Sequence, residues 1–270
     1  MVDLETRMEP GGGQYWFQTG GKDVLELYHY NDSVCAQKVR VCLAEKGLDW
    51  VPHHVDLMKL ENLAPDYLQL NPKGVVPTLV HDGRVVCEST DIIEYLDEHF
   101  PRPPLRPGEP AALERVRALI QLQDDTALIA VGLQTMQRYI KRHMERLSEE
   151  ELAAYAANHP MPERGAIHAH VGRGEDVPQA ALDQAAADLE NAVATLEAAL
   201  EEGPWLAGEQ YTLAEVTWTP FVHRMTILDM AGFWEDGLRP RTEAWWERIK
   251  ARPSYAEAML KFPTFVDITE

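Results

Sequence analysis

A serine and a cysteine two residues apart, Ser33-Val34-Cys35, stand where a short apolar run gives way to helical spacing. A cysteine in the first turn of a helix meets unpaired backbone N–H groups and the positive end of the helix dipole. Both favour a thiolate. Ser33 can cap the same helix, and its hydroxyl can donate to a nearby thiolate, its own or a substrate's. The plainer alternative leaves Ser33 as an N-cap only and Cys35 as a small buried side chain, and spacing alone does not separate the two. Further on, Val76-Pro77 lies between a turn and a strand, where an X–Pro bond tolerates the cis form. A bend there can offer a strand edge to a ligand's main chain, although an ordinary turn proline is the simpler account of the dipeptide alone. Glu88-Ser89 opens another helix. The Ser89 N–H and hydroxyl suit a carboxylate and Glu88 suits an ammonium, while an N-cap role is the competing explanation for Ser89. Together the three motifs describe a pocket for a peptide-like ligand bearing a carboxylate, with sulfur chemistry at one end.

The elements that position these residues follow from periodicity. Residues 24–30 alternate apolar and polar side chains and read as a strand. Asn31-Asp32-Ser33 is turn and cap chemistry, residues 34–46 are amphipathic, with Val34, Val41 and Leu48 framing the apolar stripe, and Gly47 supplies the C-cap. Residues 50–57 form a second strand, and 66–70 a short helix stopped by Asn71-Pro72. Residues 78–81 and 84–87 are strands around Asp82-Gly83, a strong hairpin signal. Residues 89–99 form a helix with Ile92, Ile93 and Leu96 on one face. This order gives an α/β layer.

Residues 100–107 are a proline-rich linker, and everything after it is helical in pattern. A long helix over 111–146 is expected to kink near Gly132. Helices follow at 148–158, 179–202, 212–230, 241–251 and 254–262, with capping boxes at Ser148/Glu151 and Thr212/Glu215. Residues 159–178, with three prolines, three glycines and no steady period, read as a long loop of the functional or mobile kind. The division is therefore an N-terminal extension (1–22), an α/β domain (23–102), a linker (103–109) and an all-helical domain (110–270). Trp16 and Phe17 suggest that the extension lies against the body, and a flexible lead is the alternative.

Composition narrows the function. A formal net charge of −19, spread over both halves, repels nucleic acid. Three cysteines, Cys35, Cys42 and Cys87, are not a disulfide framework and suit a reducing cytoplasm. Cys42 reads as buried and inert, Cys87 as part of the sheet. No apolar stretch approaches a membrane span, and the first residues are no signal peptide. His168 with His170, and His53 with His54, lack partners at zinc-site spacing and read as solvated histidines, so no metal is expected. Gly172-Arg173-Gly174 is too short for a phosphate loop.

Four segments in order resemble the successive signatures of glutathione transferases: Ser33-Val34-Cys35-Ala36-Gln37-Lys38-Val39-Arg40, the run Asn71-Pro72-Lys73-Gly74-Val75-Val76-Pro77-Thr78, the helix start at Glu88-Ser89-Thr90-Asp91, and Ala207 through Glu215. The resemblance covers nearly everything from 24 to 262. It implies a thioredoxin-like α/β N-terminal domain, an all-α helical-bundle C-terminal domain, a homodimer and glutathione as co-substrate. It implies that Val76 pairs with the cysteinyl main chain of glutathione beside Pro77, that Glu88 and Ser89 hold its γ-glutamyl end, and that Lys59 reaches its glycine carboxylate. Within the family, Ser-x-Cys is similar to the zeta class and to hydroquinone reductive dehalogenases. The body after Asn71, including Leu147-Ser148-Glu149-Glu150 and Met161-Pro162-Glu163, is similar to bacterial β-aryl-ether-cleaving transferases. Zeta isomerases carry a second serine where Val34 stands, and the etherases usually lack a cysteine at the position of Cys35.

The implied activity is attack of glutathione thiolate on an aromatic or otherwise activated electrophile, by ether thiolysis or conjugation, in detoxification or aromatic catabolism. Ser33 would stabilise the thiolate. Two alternatives stand beside it: reductive dehalogenation with Cys35 as second nucleophile, and a non-catalytic glutathione-binding or scaffold protein. Arg138, Tyr139, Trp218 and His223 are candidates to line an aromatic-substrate pocket between the domains, with core packing as the plainer role.

Overall fold

The computed structural model describes residues 23–264, so the expectation for Trp16 and Phe17 lies outside the described residues. The chain begins with strand β1 (Leu25–His29), helix α1 (Val34–Lys46) and strand β2 (Val51–His54). Helix α2 (Pro65–Leu70), strands β3 (Thr78–His81) and β4 (Arg84–Cys87) and helix α3 (Ser89–His99) complete the first layer. The four strands lie in the order β2-β1-β3-β4, with β1 and β2 parallel and β3 antiparallel to both β1 and β4. This is a thioredoxin-like mixed sheet.

Local chemistry fixes the element ends. Ser33 caps α1, and at its other end Gly47 takes φ +62 while Gly47 N donates to Ala44 O and Leu48 N to Leu43 O. That pair of bonds is a Schellman stop. Asp82 and Gly83 both have positive φ, 48° and 85°, as a two-residue type I′ hairpin requires.

The helical part runs through α4 (Pro110–Leu122), α5 (Leu128–Thr135), α6 (Lys141–Met144), α7 (Glu149–Asn158), α8 (Pro162–Gly172), α9 (Gln179–Ala199), α10 (Leu213–Ile227), α11 (Pro240–Lys250) and α12 (Pro253–Tyr255). Two expectations are corrected here. The long helix over 111–146 has its irregularities on either side of Gly132, as π-helical turns at Gln123–Ala127 and Met136–Ile140. Gly132 sits inside α5 with open space where a side chain would be, so nothing there forces a bend. The expected loop at 159–178 contains helix α8. Its two glycines are contact points: a Cβ on Gly165 would meet His159 at 2.8 Å, and one on Gly172 would meet Leu152 at 2.5 Å. Glycine here permits close approach of α7 and α8 and does not signal a break.

Both capping boxes form. Glu215 does more than cap: buried, it accepts from Thr212 N at 2.7 Å and also from Leu206 N at 2.5 Å. The main core joins the two layers. Leu25, Leu27, Val39, Leu43, Leu79, Ile92 and Leu96 from the sheet side pack in one cluster with Val116, Val193, Trp218, Phe221 and Trp245 from the helices. A smaller cluster holds α6, α7 and α8 together around Met144, Leu152, Tyr155 and Val171, and Leu60 and Leu63 from the loop after β2 pack on it. Among the described residues no helix is long and apolar enough to cross a membrane.

Burial pushes three histidines far below the ordinary value. Burial, with nearby Arg40 and two neighbouring histidines, pushes His29 down to about 3. Burial and Arg164 push His168 to about 3, and burial with Arg224 and Arg40 pushes His223 to about 4. His168 on α8 bonds Tyr155 Oη at 2.7 Å through Nδ1, which corrects its reading as a solvated loop residue. Above the ordinary histidine value neither folded nor unfolded state takes the proton, and the fold has its full stability. As pH falls from 6.5 toward these lowered values, the unfolded chain binds protons that the fold refuses. Each histidine then removes up to about 1.4 kcal/mol per pH unit. Urea midpoints are expected to fall steeply over that window, and His223→Gln to flatten roughly a third of the histidine contribution to the slope.

Candidate active site at one end of the sheet

The strand register decides which motifs can meet. His53, Tyr28, Thr78 and Cys87 form one row across β2, β1, β3 and β4. That row marks the end of the sheet where β1, β2 and β4 finish and β3 starts. The segments that leave or enter there are the turn to Ser33, the loop carrying Lys59, the bend at Val76-Pro77, and Glu88-Ser89. Strand direction alone therefore gathers the motif residues at one sheet end, although they span 56 positions of sequence.

Each is held by identifiable contacts. Ser33 Oγ accepts from Ala36 N at 3.3 Å, and Ser33 O from Gln37 N at 2.8 Å. The N-cap role is therefore real, and the hydroxyl hydrogen remains available to donate. The Val76-Pro77 peptide is cis. Its loop is pinned from beneath: Tyr67 Oη donates to Val75 O at 2.6 Å, Asn71 Nδ2 to the same oxygen at 2.9 Å, and Asn62 Nδ2 to Gly74 O at 2.7 Å. Val76 itself packs its side chain with Tyr30, Val55 and Tyr67. Its backbone N–H and C=O have no partner among the described residues. Glu88 takes φ +66 in front of α3, which turns the chain sharply into the helix, and Ser89 is the first helical residue. The Glu88 carboxylate meets the Lys73 ammonium at 2.7 Å. Lys59 is exposed and pairs with Asp56 at 3.1 Å.

Cys35 stands in the first turn of α1. Part of the residue stays open to solvent, but its surroundings are dense, and burial pushes the thiol up from its ordinary value. Lys38, a hydrogen-bonding contact from Ser89, and Arg164 act the other way, and Asp124 adds to the rise. The helix N-terminus alone does not make Cys35 a stable thiolate, because burial in this setting outweighs it. Cys42 is fully buried and also pushed up by burial, and Cys87 lies in β4 with its thiol 3.7 Å from Leu70 O. All three are free thiols.

The four candidates for an aromatic pocket are each held by packing or hydrogen bonds. Trp218 is fully buried, with Nε1 donating to Leu119 O at 3.0 Å. His223 is buried and bonds Tyr255 Oη at 2.9 Å. Arg138 Nη1 donates to Leu228 O and Tyr139 Oη to Ile227 O at 3.0 Å, which ties the second π turn to the end of α10. None of the four lines either described cavity. Helix α10 is enclosed on nearly every face, so even its polar positions are packing positions. One cavity, about 220 Å³, does lie at the motif end of the sheet, lined by Tyr30, Asn31, Asp32, His54, Asp56 and Met58 with Pro263 and Thr264. A larger one, about 330 Å³, sits at the far end of α1 around Gly47, Trp50 and Phe262, away from the motifs.

Sequence reasoning missed Lys38, Thr90, Gln123 and Asp124, which form a closed polar group behind Cys35 and Ser89. The spacing of Lys38, three residues after Cys35, was a usable signal. The π turn that delivers Gln123 and Asp124 was not.

Comparison with known proteins agrees with this geometry. Residues 27–104 match the family model for the glutathione S-transferase N-terminal domain, and 179–248 match that for the C-terminal domain. Tetrachloro-p-hydroquinone reductive dehalogenase of Sphingobium chlorophenolicum is 31% identical over 246 residues, 87% of this chain and 95% of that protein. Protein LigF of Sphingobium sp. (strain NBRC 103272 / SYK-6) is 32% identical over 244 residues, 88% of this chain and 93% of that one. The crystal structure of beta-etherase LigF from strain SYK-6 superposes with a TM-score of 0.82 at 30% identity, covering 88% of this chain and 99% of that chain.

The pinning of the 71–77 loop is testable on its own. Asn71→Ala leaves Thr78 Oγ1 and Val75 O each short of a donor and is expected to cost about 1–3 kcal/mol. Urea denaturation reads the loss, and hydrogen exchange of the Val76 amide is expected to quicken. Unchanged exchange would show that the loop is held by other contacts.

Proposed function

Since the chain belongs to the glutathione S-transferase family, we propose that it directs the thiolate of glutathione against an aromatic or otherwise activated electrophile. Family membership implies glutathione as co-substrate. The observation that carries the reading is the Val76 main chain, unpartnered among the described residues, at the sheet end where Ser33 and Ser89 also lie. An extended cysteinyl residue pairs with Val76 N–H and C=O in antiparallel fashion. The γ-glutamyl carboxylate takes Ser89 N–H and hydroxyl at the start of α3, an eleven-residue helix. Glu88 serves the γ-glutamyl ammonium and shares its carboxylate with Lys73. Lys59 swings from Asp56 to the glycine carboxylate, a small cost because it is exposed.

That placement sets the glutathione sulfur near the start of α1. The Ser33 hydroxyl donates to the sulfur while still accepting from Ala36 N. The thiolate attacks the electrophilic carbon, the carbon–heteroatom bond breaks, and an aryloxide or halide leaves with the electron pair. Holding both reactants in one cleft supplies much of the rate. The named activities of the two relatives, a beta-etherase and a reductive dehalogenase, bracket the leaving groups considered. A homodimer and the reducing cytoplasm complete the reading.

A second reading is favoured by the place of Cys35, one turn before Lys38 on α1, where Lys38 and Ser89 both act to lower its thiol against burial. In it, Cys35 thiolate attacks the sulfur of the glutathionyl–aryl thioether. The S–C bond breaks, a Cys35–glutathione disulfide forms, and the aryl carbon keeps the electron pair and takes a proton. A second glutathione thiolate releases glutathione disulfide and restores Cys35. Carbon is reduced by two electrons and two sulfurs are oxidised.

Two mutants separate the readings. Under thiolysis, Ser33→Ala is expected to lower kcat/KM by about 10²–10³ and Cys35→Ser to leave product formation intact. Under reductive removal, Cys35→Ser makes the thioether accumulate with a halogenated hydroquinone. Chromatography of products from that substrate and from a β-aryl ether distinguishes the outcomes. Calorimetry with glutathione comes first, and absence of binding at millimolar concentration would point to a scaffold protein instead.

A further inference from the structure

Helices α1 and α3 meet at the site. Cys35 stands in the first turn of α1 and Ser89 is the first residue of α3. One turn later on α1, Lys38 Nζ donates to Thr90 Oγ1 at 2.5 Å. The Lys38 side chain is 2% exposed, and its ammonium also reaches Gln123 Oε1 at 3.1 Å and Asp124 Oδ1 at 3.2 Å. Thr90 Oγ1 in turn donates to Asp124 Oδ2 at 2.6 Å. Every direction open to the ammonium is thus fixed, and two of its three ligands come from the π turn of the helical layer.

A buried ammonium is an expensive way to join two helices. Its desolvation costs several kcal/mol, and a methionine or leucine of similar volume fills such a place without that cost. Its carboxylate partner, Asp124, is 35% exposed and so offsets the charge only in part. Cys35, three residues before Lys38, carries its thiol on the same face of α1. The charged groups that act on Cys35 are Lys38 from α1, Asp124 from the π turn and Arg164 from α8; Lys38 also feels Glu94 of α3.

We propose that Lys38 is a positioning residue for Cys35: its ammonium, locked by Thr90, Gln123 and Asp124, is the fixed positive charge against which the Cys35 thiolate forms. On ionisation the thiol proton leaves to solvent and the ammonium keeps its own. The role deepens the second reading above, in which Cys35 acts as a nucleophile, and it rests on that reading for its catalytic use. Its physical content does not depend on which ligand the site takes. It also gives the helical layer a part in the sulfur chemistry, since the π turn decides where the ammonium stands.

The test reads alkylation of Cys35 by iodoacetamide against pH in the full-length protein, with peptide mass spectrometry reporting each cysteine separately. Lys38→Gln keeps a donor for Thr90 and removes the charge. It is expected to slow Cys35 alkylation near neutral pH by about tenfold or more, as its pH midpoint rises by about one unit, while the Cys87 profile stays in place. Lys38→Arg is expected to hold the wild-type midpoint. A purely structural Lys38 would leave the Cys35 midpoint unmoved in Lys38→Gln, or shift it as far in Lys38→Arg, and either result overturns the proposal. Should Lys38→Gln not fold, Asp124→Asn carries the test: it leaves the ammonium two of its ligands and removes the charge that offsets it. The midpoint is then expected to fall, and a constant or raised midpoint counts against the role. Glutathione enters neither arm, so failure of the calorimetry above and failure of the alkylation test are separate results.

Discussion

Helix α1 is enclosed on all sides, and that enclosure governs the molecule. The sheet and α3 cover one flank, α10 and the C-terminal helices the other. Lys38, Arg40 and Lys46 are all buried on it. A buried polar group without partners costs about 1–3 kcal/mol or more, so each must be answered from another element. Lys46 reaches Asp97 at 2.7 Å and the carbonyls of Phe100 and Pro103, fixing the linker. Arg40 donates to Asn31 O and Ala258 O and lies 4.0 Å over the Phe262 ring, fixing the C-terminal turn. Glu45 holds Arg252 and Ser254. Asp32, just ahead of the helix, pairs with Arg224 of α10, both nearly fully buried. One helix thereby sets the relative position of both layers, and Ser33 and Cys35 stand at its start.

Seen this way, the helix N-terminus and the burial around it act against each other at Cys35. The dipole and the orphan amides favour charge at the sulfur, and dense packing opposes it. Position in a helix is a weak guide to thiol reactivity when packing is tight, because desolvation grows faster than a dipole of about half a charge can offset. Lys38 offsets part of that burial, and its own partners sit 85 and 86 residues away in sequence.

Much of this fold was legible in the chain itself. The limits of α1, β3, β4 and α3 follow from Ser33, Gly47, Asp82-Gly83 and Ser89, because caps and tight turns are chemistry of four or five consecutive residues. The sheet end that gathers Ser33, Val76 and Ser89 follows from strand order, which the family resemblance implied. Three things were not legible. Helix α8 hid behind glycines whose purpose is close packing against His159 and Leu152, a tertiary matter. The π turns at 123–127 and 136–140 leave no periodic trace in so few residues. The burial of Trp218 and His223 depends on α10 being enclosed all round, and a helix without a polar face gives no sign of which side meets a ligand.

The bonds of Glu215 carry a consequence for the order in which the chain folds. Its contacts with Thr212 and Leu206 span three and nine residues, so this corner can assemble early from local encounters. The Asp32–Arg224 contact spans 192 residues and must wait until nearly the whole chain has been made. A nascent chain therefore carries Ser33 and Cys35 long before α10 and the π turn arrive to fix their surroundings. The surroundings of Ser33 and Cys35 therefore become fixed only when those later elements dock.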